Sequence, residues 1–391
     1  MLLSLSIIFI CGIIMSYLCG KVKLPALFGM ILLGILIGPS VLNLLDEKTL
    51  LISGELRKIA LIIILTRAGL GLNLEDLKRA GLSAVLLCFV PAVFEVIGIV
   101  LIAPRIFPIT TKEAFLIGSV LAAVSPAVVV PKMIELMDKG YGTDKSIPQM
   151  ILAASSVDDV FVIVMFSVAL SIEKGGAVNY MSFLNIPLSI ALGIILGILA
   201  GFIYTLIFKK AKTNMVIKLL VLMSLSFLMV TLEDAKLLPI SGLIAVMVSG
   251  MTVGYFEPTL AEKLSEKYSG LWIAAQILLF VLVGSIIDIK YATSYGALTL
   301  LVVLGGLLFR ALGVYVSTLK SELERKEKLF TAIAYMPKAT VQAAIGGIPL
   351  QAGLECGNLV LTTAVIAILF TAPVGAFLID MTHKKLLSKS K

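Results

Sequence analysis

The chain alternates long apolar stretches with short polar connections from residue 2 to residue 380. Stretches of about 20 apolar residues are typical of transmembrane helices. Thirteen such segments are predicted, near 2–19, 25–43, 54–73, 79–103, 113–136, 146–172, 182–208, 215–233, 237–255, 269–289, 293–319, 328–352 and 357–380. The pattern therefore predicts an all-α, polytopic membrane protein.

The basic residues predict an orientation for these segments. With the N-terminus outside, 21 of the 32 lysines and arginines fall in inward connections or the tail, and 8 fall in outward connections. The remaining three, Arg67, Arg310 and Lys338, lie inside predicted helices. Because inward loops are enriched in basic residues, this bias favours thirteen spans with the N-terminus outside and the C-terminus inside.

Composition excludes several classes of protein. Hydrophobic residues make up 59% of the chain and charged residues 14%, whereas soluble domains have roughly 25% charged residues. The net charge of +8 is explained by topology rather than by a nucleic-acid partner. Four cysteines without CxxC spacing and one histidine, His383, predict neither a zinc site nor a disulfide framework. The longest polar connection, KSELERKEK, leaves no room for an ATP-binding domain.

The sixth segment contains two adjacent carboxylates, Asp158 and Asp159, in ILAASSVDDVFVIVMF. Charges at this depth are expensive and mark functional sites. Two carboxylates crowded in a low dielectric favour protonation of one of them over double ionisation. The pair therefore predicts a site for a small monovalent cation or a proton. The simpler alternative is that each carboxylate only neutralises a buried arginine or lysine.

The fifth segment contains two prolines, Pro126 and Pro131, in AAVSPAVVVPKM. Each lacks an N–H and clashes with the carbonyl four residues earlier, so the backbone is expected to unwind and free the carbonyls from Ala122 to Ala127. Unwound backbone at membrane depth occurs where it is buried in protein or lines a cavity. The oxygens of Val124 and Ser125 would then be hard ligands for an alkali cation. A kink that serves only packing is the alternative.

The twelfth segment has a similar interruption, YMPKATVQAAIGGIP, with Pro337, a buried Lys338 and Thr340. The fifth and twelfth segments hold corresponding places in two sets of helices, one to six and eight to thirteen, which run in opposite directions. Paired interrupted helices in two inverted halves point to the binding site of a secondary transporter.

Two further charged residues, Glu95 and Arg310, complete the set deep in the predicted helices. Three acidic groups (Glu95, Asp158 and Asp159) face two basic groups (Arg310 and Lys338), if Arg67 extends to the inner interface. The site is then one positive charge short, and a single monovalent cation or proton would supply it.

These residues together resemble the cation–proton antiporter superfamily, and above all its NHA-type sodium/hydrogen exchangers. The resemblance spans nearly the whole chain. It is carried by LTRAGLGL (65–72), VSPAVVVP (124–131), GYGTDKSIPQ with SSVDD (140–149 and 155–159), and YMPKATVQAAIG (335–346).

The resemblance implies a homodimer of thirteen-helix protomers in the cell membrane, with no cofactor besides the transported ions. Each protomer would have a dimerisation domain and a core ion-transport domain that slides against it like an elevator. The corresponding ranges are 1–78 and 213–291 for dimerisation, 79–172 and 292–382 for the core, 173–212 for a linker helix and 383–391 for a cytoplasmic tail.

The resemblance also implies roles for individual residues. Asp159 would be the main ligand of Na⁺ or Li⁺ and Asp158 its partner, with oxygens from Val124 and Ser125 and with Ser155 one turn earlier. Glu95, Arg310 and Lys338 would form an ion-pair network that holds together the broken helices, marked by Pro126, Pro131, Pro337 and Thr340.

One residue departs from the pattern of many electrogenic relatives, which have a lysine where Arg310 stands. A buried lysine can lose its proton near neutral pH, whereas an arginine effectively cannot. The expected activity is therefore sodium or lithium exchange for protons in a one-to-one, electroneutral ratio.

Other functions are weaker alternatives on the sequence. Electrogenic antiport and potassium/proton exchange stay open, since no feature of the chain selects among cations by size. An intramembrane aspartyl protease would need its aspartates on different helices, typically with a Gly-x-Gly-Asp string that does not occur here. A channel would need a continuous polar pore rather than polar residues at one depth.

Overall fold

The computed structural model describes residues 1–22, 24–71, 81–175, 180–235 and 240–389, and these residues are nearly all helical. Within these ranges the β-structure is limited to an isolated antiparallel bridge between Tyr141 and Lys389. The prediction of an all-α protein is confirmed.

Eighteen helices occur in the described ranges. The first nine are α1 (Leu2–Lys21), α2 (Ala26–Ile37), α3 (Glu47–Leu51), α4 (Ser53–Gly71), α5 (Gly81–Leu87), α6 (Val90–Ile106), α7 (Thr111–Leu121), α8 (Pro126–Asp138) and α9 (Ile147–Glu173). The others are α10 (Tyr180–Phe208), α11 (Met215–Asp234), α12 (Gly242–Phe256), α13 (Pro258–Ser285), α14 (Ile289–Ser317), α15 (Arg325–Ala334), α16 (Thr340–Ile345), α17 (Ile348–Gln351) and α18 (Gly357–Leu386).

The described residues contain eight stretches long and apolar enough to cross a membrane. These are α1, the stretch 81–106 that comprises α5 and α6, α9, α10 from Ala191, α11, α13, α14 and α18. Two shorter apolar helices, α2 and α12, accompany them. Each predicted segment holds one or more helices, although α13 begins at Pro258 rather than near residue 269. The total of thirteen spans and their orientation stay predictions.

The fifth predicted segment consists of two helices, α7 and α8, separated by non-helical residues 122–125. Pro126 is the first residue of α8, where a proline loses no helical hydrogen bond and its fixed φ suits the helix. Helix α8 then continues through Pro131 to Asp138. The predicted break is confirmed, but the expectation that it extends to Ala127 and that Pro131 unwinds the backbone is wrong.

The twelfth predicted segment is interrupted too. Helix α15 ends at Ala334, residues 335–339 are not helical, and α16 begins at Thr340. Pro337 and Lys338 lie in this break, and a further turn at Gly346 and Gly347 separates α16 from α17. The predicted interruption is confirmed.

The chain divides into two compact units. The first comprises 1–54, 76–174 and 277–391, and the second comprises 55–75 and 175–276. Both helix breaks and both aspartates belong to the first unit. The division into dimerisation and core domains stays a prediction.

An apolar cluster in the first unit surrounds the helix breaks. Val124 of the first break and Tyr335 of the second are fully buried in it, together with Ile151 on α9, Val314 on α14 and Phe330 on α15. Because such side chains pack at crystal-like density, they hold the irregular backbone of both breaks in place.

In the second unit, small residues let α10 and α12 approach closely. A Cβ built on Gly193, Gly197 or Gly201 would come within 2.5–2.6 Å of a backbone carbonyl oxygen of α12 or of Ser241, the residue that precedes it. This stripe of small residues therefore serves helix packing.

Candidate ion-binding site

The two helix breaks are bonded to each other. The Ser125 N–H donates to the Pro337 carbonyl at 2.8 Å, and the Thr340 N–H lies 3.5 Å from the Ser125 Oγ. The Gln342 amide donates to the carbonyls of Leu121 and Ala123 at 3.2 and 2.9 Å. Carbonyl oxygens at the first break are thus bound by a side-chain donor on α16, the helix that follows the second break, as buried carbonyls require.

A buried ion-pair network lies beside the breaks. Arg310, on α14, donates from Nη1 to the Glu95 carboxylate at 2.9 Å and from Nη2 to the Asp158 carboxylate at 3.0 Å. Lys338, in the second break, donates from Nζ to the same Glu95 oxygen at 2.6 Å. All four side chains are at most 1% exposed. The predicted grouping of Glu95, Arg310 and Lys338 occurs in the structure and also includes Asp158.

Arg310 additionally fixes the backbone at both breaks. Its Nε donates to the Tyr335 carbonyl at 2.7 Å, and its Nη1 donates to the Ala122 carbonyl. The guanidinium carbon also lies 5.4 Å from the centre of the Tyr335 ring, within the range of a cation–π contact. The planar guanidinium therefore joins α6, α9 and both breaks through four hydrogen bonds from N–H donors of fixed geometry.

The two aspartates have different surroundings. Asp158 Oδ2 accepts hydrogen bonds from the Val124 N–H at 2.8 Å and from Arg310, while its Oδ1 is buried without a partner. Asp159 is 7% exposed, and its Oδ1 is also buried without a hydrogen-bond partner. In the described part of the chain no lysine or arginine forms a salt bridge with Asp159. Adjacent helix positions point about 100° apart, so one aspartate faces Arg310 and the other does not.

The predicted oxygen ligands have particular partners in this structure. The Ser125 carbonyl accepts from the N–H groups of Val128 and Val129 at 3.2 and 3.1 Å, within the first turn of α8. Val124 provides a donor N–H to Asp158, a contact that the sequence did not indicate. Ser155 is fully buried one turn before Asp159 on α9, and its hydroxyl donates to the Leu152 carbonyl at 3.0 Å.

The sequence did not predict the roles of two threonines near the breaks. Thr371, on α18, accepts the Lys338 N–H at 2.8 Å with its hydroxyl and so positions the lysine. Thr340 was predicted only as a residue of the second break, but its Oγ1 is buried without a hydrogen-bond partner. The TAP string at 371–373 places a threonine two residues before a proline, which is the weak signal that could have identified Thr371.

The GYGTDKSIPQ string (140–149) forms most of the connection between α8 and α9 and the first residues of α9. Gly140, Gly142 and Ser146 adopt positive φ values of 72°, 68° and 51°, and Ser146 precedes the first residue of α9. Lys145 donates to Glu327 on α15 at 2.9 Å, and this hydrogen bond raises the pKa of Lys145 above its ordinary value. The connection therefore ties the start of the aspartate helix to the helix before the second break.

The fold is similar to solved structures of a sodium/proton antiporter. A structure of the sodium proton antiporter MjNhaP1 from Methanocaldococcus jannaschii at pH 8 matches with a TM-score of 0.86. The match covers 98% of this chain and 97% of that chain at 22% sequence identity. A second structure of the same antiporter, from electron microscopy, matches with a TM-score of 0.80. The chain, with its apolar helices and two interrupted helices, therefore has the fold of this antiporter, a multi-pass membrane-protein fold.

Sequence comparison then identifies the family. The sequence pattern of the family described as sodium/hydrogen exchanger, transmembrane, matches residues 5–385. Sodium/hydrogen exchanger 9B2 of Homo sapiens is 33% identical over 405 residues, covering 99% of this chain and 75% of the relative. Sodium/hydrogen exchanger 9B1 of Mus musculus is 35% identical over 387 residues, covering 94% and 67%. The chain belongs to the sodium/hydrogen exchanger family, and it is a cation:proton antiporter, a secondary transporter rather than an enzyme.

Proposed function

We propose that the protein exchanges one Na⁺ or Li⁺ for one proton, with Asp159 as the group that binds the two ions in turn and Asp158 as its partner. The proposal rests on a single observation. Within the described residues, Asp159 is the buried carboxylate of the central group that lacks a cationic partner, whereas Arg310 and Lys338 pair with the others.

The pairing of charges supports the one-to-one ratio. Arg310 and Lys338 carry two positive charges and contact Glu95 and Asp158, which carry two negative charges when ionised. Asp159 then carries the unbalanced charge. An unpaired buried charge is strongly unfavourable, so Asp159 would hold either a proton or a monovalent cation. Two ligands that compete for one carboxylate exchange with each other in a one-to-one ratio.

The oxygens around this carboxylate suit an alkali cation. Asp158 has one oxygen, Oδ1, without a hydrogen bond, and the hydroxyl of Ser155 lies one helical turn before Asp159. The carbonyl of Val124 follows the N–H that binds Asp158, and Ser125 contributes a hydroxyl in the same break. Carboxylate, hydroxyl and carbonyl oxygens are hard ligands of the kind that hard cations prefer.

Arg310 supports electroneutral exchange. A lysine in this position could release a second proton in each cycle, but an arginine stays charged. The alternative of electrogenic antiport is favoured by one observation: Lys338 is a fully buried lysine in the second break. If Lys338 released its proton in each cycle, Glu95 would keep Arg310 as its partner, and one net charge would cross the membrane.

An elevator-like movement and a homodimer are part of the same proposal. Every group of the site belongs to one compact unit, so that unit could carry the bound ion as a body. We further propose that the homodimer lies in the cell membrane, where exchange of sodium for protons would contribute to pH homeostasis.

Transport in proteoliposomes tests the cation and the ratio. Purified protein is reconstituted, the membrane potential is clamped at several values, and proton movement is recorded with sodium, lithium or potassium gradients. We expect exchange with sodium or lithium and an equilibrium cation gradient that does not depend on potential. One net charge per cycle would instead shift that equilibrium by about 2.3 kcal/mol per 100 mV, roughly 50-fold in the gradient.

Two outcomes would change the proposal. A dependence on potential of that size would assign a second proton to the cycle, and its loss in Lys338→Arg would identify Lys338 as the carrier. Exchange driven by potassium alone would replace sodium and lithium as the substrates. Arg310→Lys is the matched control, because it retains a charged partner for Glu95 and Asp158 and adds a group that can lose its proton.

A further inference from the structure

A second group of potential ligands lies at the other end of the aspartate helix. Glu113 is in the first turn of α7, Glu173 is the last residue of α9, and Cys356 directly precedes α18. One carboxylate oxygen of each glutamate and the Cys356 thiol lie within 4.8 Å of one another. All three residues belong to the first compact unit.

Two features distinguish this group from an ordinary surface cluster of acidic residues. Cys356 is a free cysteine that is only 5% exposed. Glu173 Oε2 is buried without a hydrogen-bond partner. A buried thiol and a carboxylate with an unpartnered buried oxygen therefore lie together between three helix ends.

Glu113 is held in place by its own helix. Its Oε2 accepts from the N–H and the hydroxyl of Thr110 at 2.7 and 2.9 Å, in a capping box at the start of α7. Its other carboxylate oxygen is not used by the capping box and is available for a ligand. Preorganised first ligands of this kind reduce the ordering needed for metal binding.

We propose that Glu113, Glu173 and Cys356 bind a divalent metal ion of the zinc and cadmium class. A thiolate ligand selects such ions against Na⁺, Mg²⁺ and Ca²⁺, while carboxylates also suit zinc. Tetrahedral zinc has Zn–S and Zn–O distances of about 2.3 and 2.1 Å, so ligand atoms in such a site lie roughly 3.5 Å apart. Changes of side-chain rotamer that move the ligand atoms by about 1 Å would bring them to this spacing, and water would supply the fourth ligand.

The cysteine and histidine count alone predicted no zinc site, because carboxylates from distant parts of the chain were not considered as ligands. Two carboxylates and a thiolate also give one negative charge more than a divalent ion neutralises. Lys112, next to Glu113, lies close enough to Glu173 to interact with it electrostatically and would offset that charge.

This site would be separate from the transported ion. Glu173 follows Asp159 by 14 residues on the continuous helix α9, a distance of about 21 Å at 1.5 Å per residue. A metal here would connect the start of α7, the end of α9 and the start of α18 within one unit. Its direct effect would therefore be on stability.

Cadmium and zinc titrations of the purified, detergent-solubilised protein test the proposal. We expect Cd²⁺ to produce the ultraviolet absorption band of sulfur-to-cadmium charge transfer, and both ions to raise the melting temperature. Cys356→Ser should lose the band and the stabilisation, and Glu173→Gln should lower the affinity by at least roughly tenfold. Cys11→Ser is the matched control, since it removes a free cysteine on α1, and it should behave like the wild type.

Other binding sites are excluded by two further variants. His383→Ala should retain the stabilisation, because the histidine lies on the last turns of α18, and Asp159→Asn should retain it because the cation site is distinct. An unchanged band in Cys356→Ser, unchanged affinity in Glu173→Gln, or loss of binding in His383→Ala or Asp159→Asn would overturn the assignment. If Cys356→Ser does not fold, the affinity of Glu173→Gln for Cd²⁺ and Zn²⁺ decides whether the assignment stands.

Discussion

Asp159→Asn is expected to reduce cation-driven proton exchange to the background of empty liposomes while the protein stays folded. Asparagine retains the size of the side chain but can neither release a proton nor supply the negative charge that an alkali cation requires. Because Asp159 has no cationic partner in the described chain, its neutralisation leaves no buried charge unpaired. We therefore expect a melting temperature equal to or above that of the wild type.

Asp158→Asn is the matched variant on the neighbouring position. It weakens the contact with Arg310 and the hydrogen bond from the Val124 N–H, so it should lower stability by about 1–3 kcal/mol. The two aspartates are adjacent, but only Asp158 forms an ion pair with Arg310. A loss of stability in Asp158→Asn but not in Asp159→Asn would confirm that Asp158 pairs with Arg310 and Asp159 does not. Retained pH-dependent exchange by the double variant Asp158→Asn/Asp159→Asn would refute the site assignment.

Arg310→Ala is expected to cause the largest loss of stability of any substitution at the site. It leaves the carboxylate of Asp158 without a cation and removes donors to the carbonyls of Tyr335 and Ala122. Removing one partner of a buried ion pair lowers the free energy of unfolding by about 3–5 kcal/mol. Lys338→Ala should be less severe, because Glu95 keeps its contact with Arg310.

A double-mutant cycle separates the ion pair from lost packing. Arg310→Ala, Glu95→Gln and the double variant are compared by thermal unfolding in detergent. In Arg310→Ala, Glu95 loses one of its two cationic partners. Glu95→Gln removes that carboxylate charge, so the double variant should be more stable than the sum of the two single losses predicts. Unchanged melting temperatures in Arg310→Ala and Glu95→Gln would show that the network does not hold the breaks together.

The helices and their breaks could be predicted because both depend on local sequence. Apolar length and proline position act within one segment, and they indicated the interruptions before Pro126 and around Pro337. The end of the first break could not be predicted, since a proline is tolerated both as the first residue of a helix and within the packed helix α8.

The number of buried charges could be predicted from the sequence, but not which of them form ion pairs. The sequence indicated three acidic and two basic groups, but Arg310 and Glu95 are 215 positions apart, and only the fold decides which carboxylate the guanidinium contacts. Thr371 could not be predicted for the same reason: it accepts the Lys338 N–H only because the fold brings the two residues together. The count of basic residues contained an error of another kind. Arg57 was one of the eight lysines and arginines assigned to the outward connections, but it lies within α4 and is 2% exposed.

Proton release on cation binding tests the central claim most directly. Sodium or lithium chloride is added to purified protein in weakly buffered detergent solution, and the released protons are counted over a range of pH, with choline chloride as the control for ionic strength. The proposed competition at Asp159 predicts up to one proton released per protomer in the wild type and none in Asp159→Asn. Equal release from Asp159→Asn, or no release from the wild type at any pH, would contradict it.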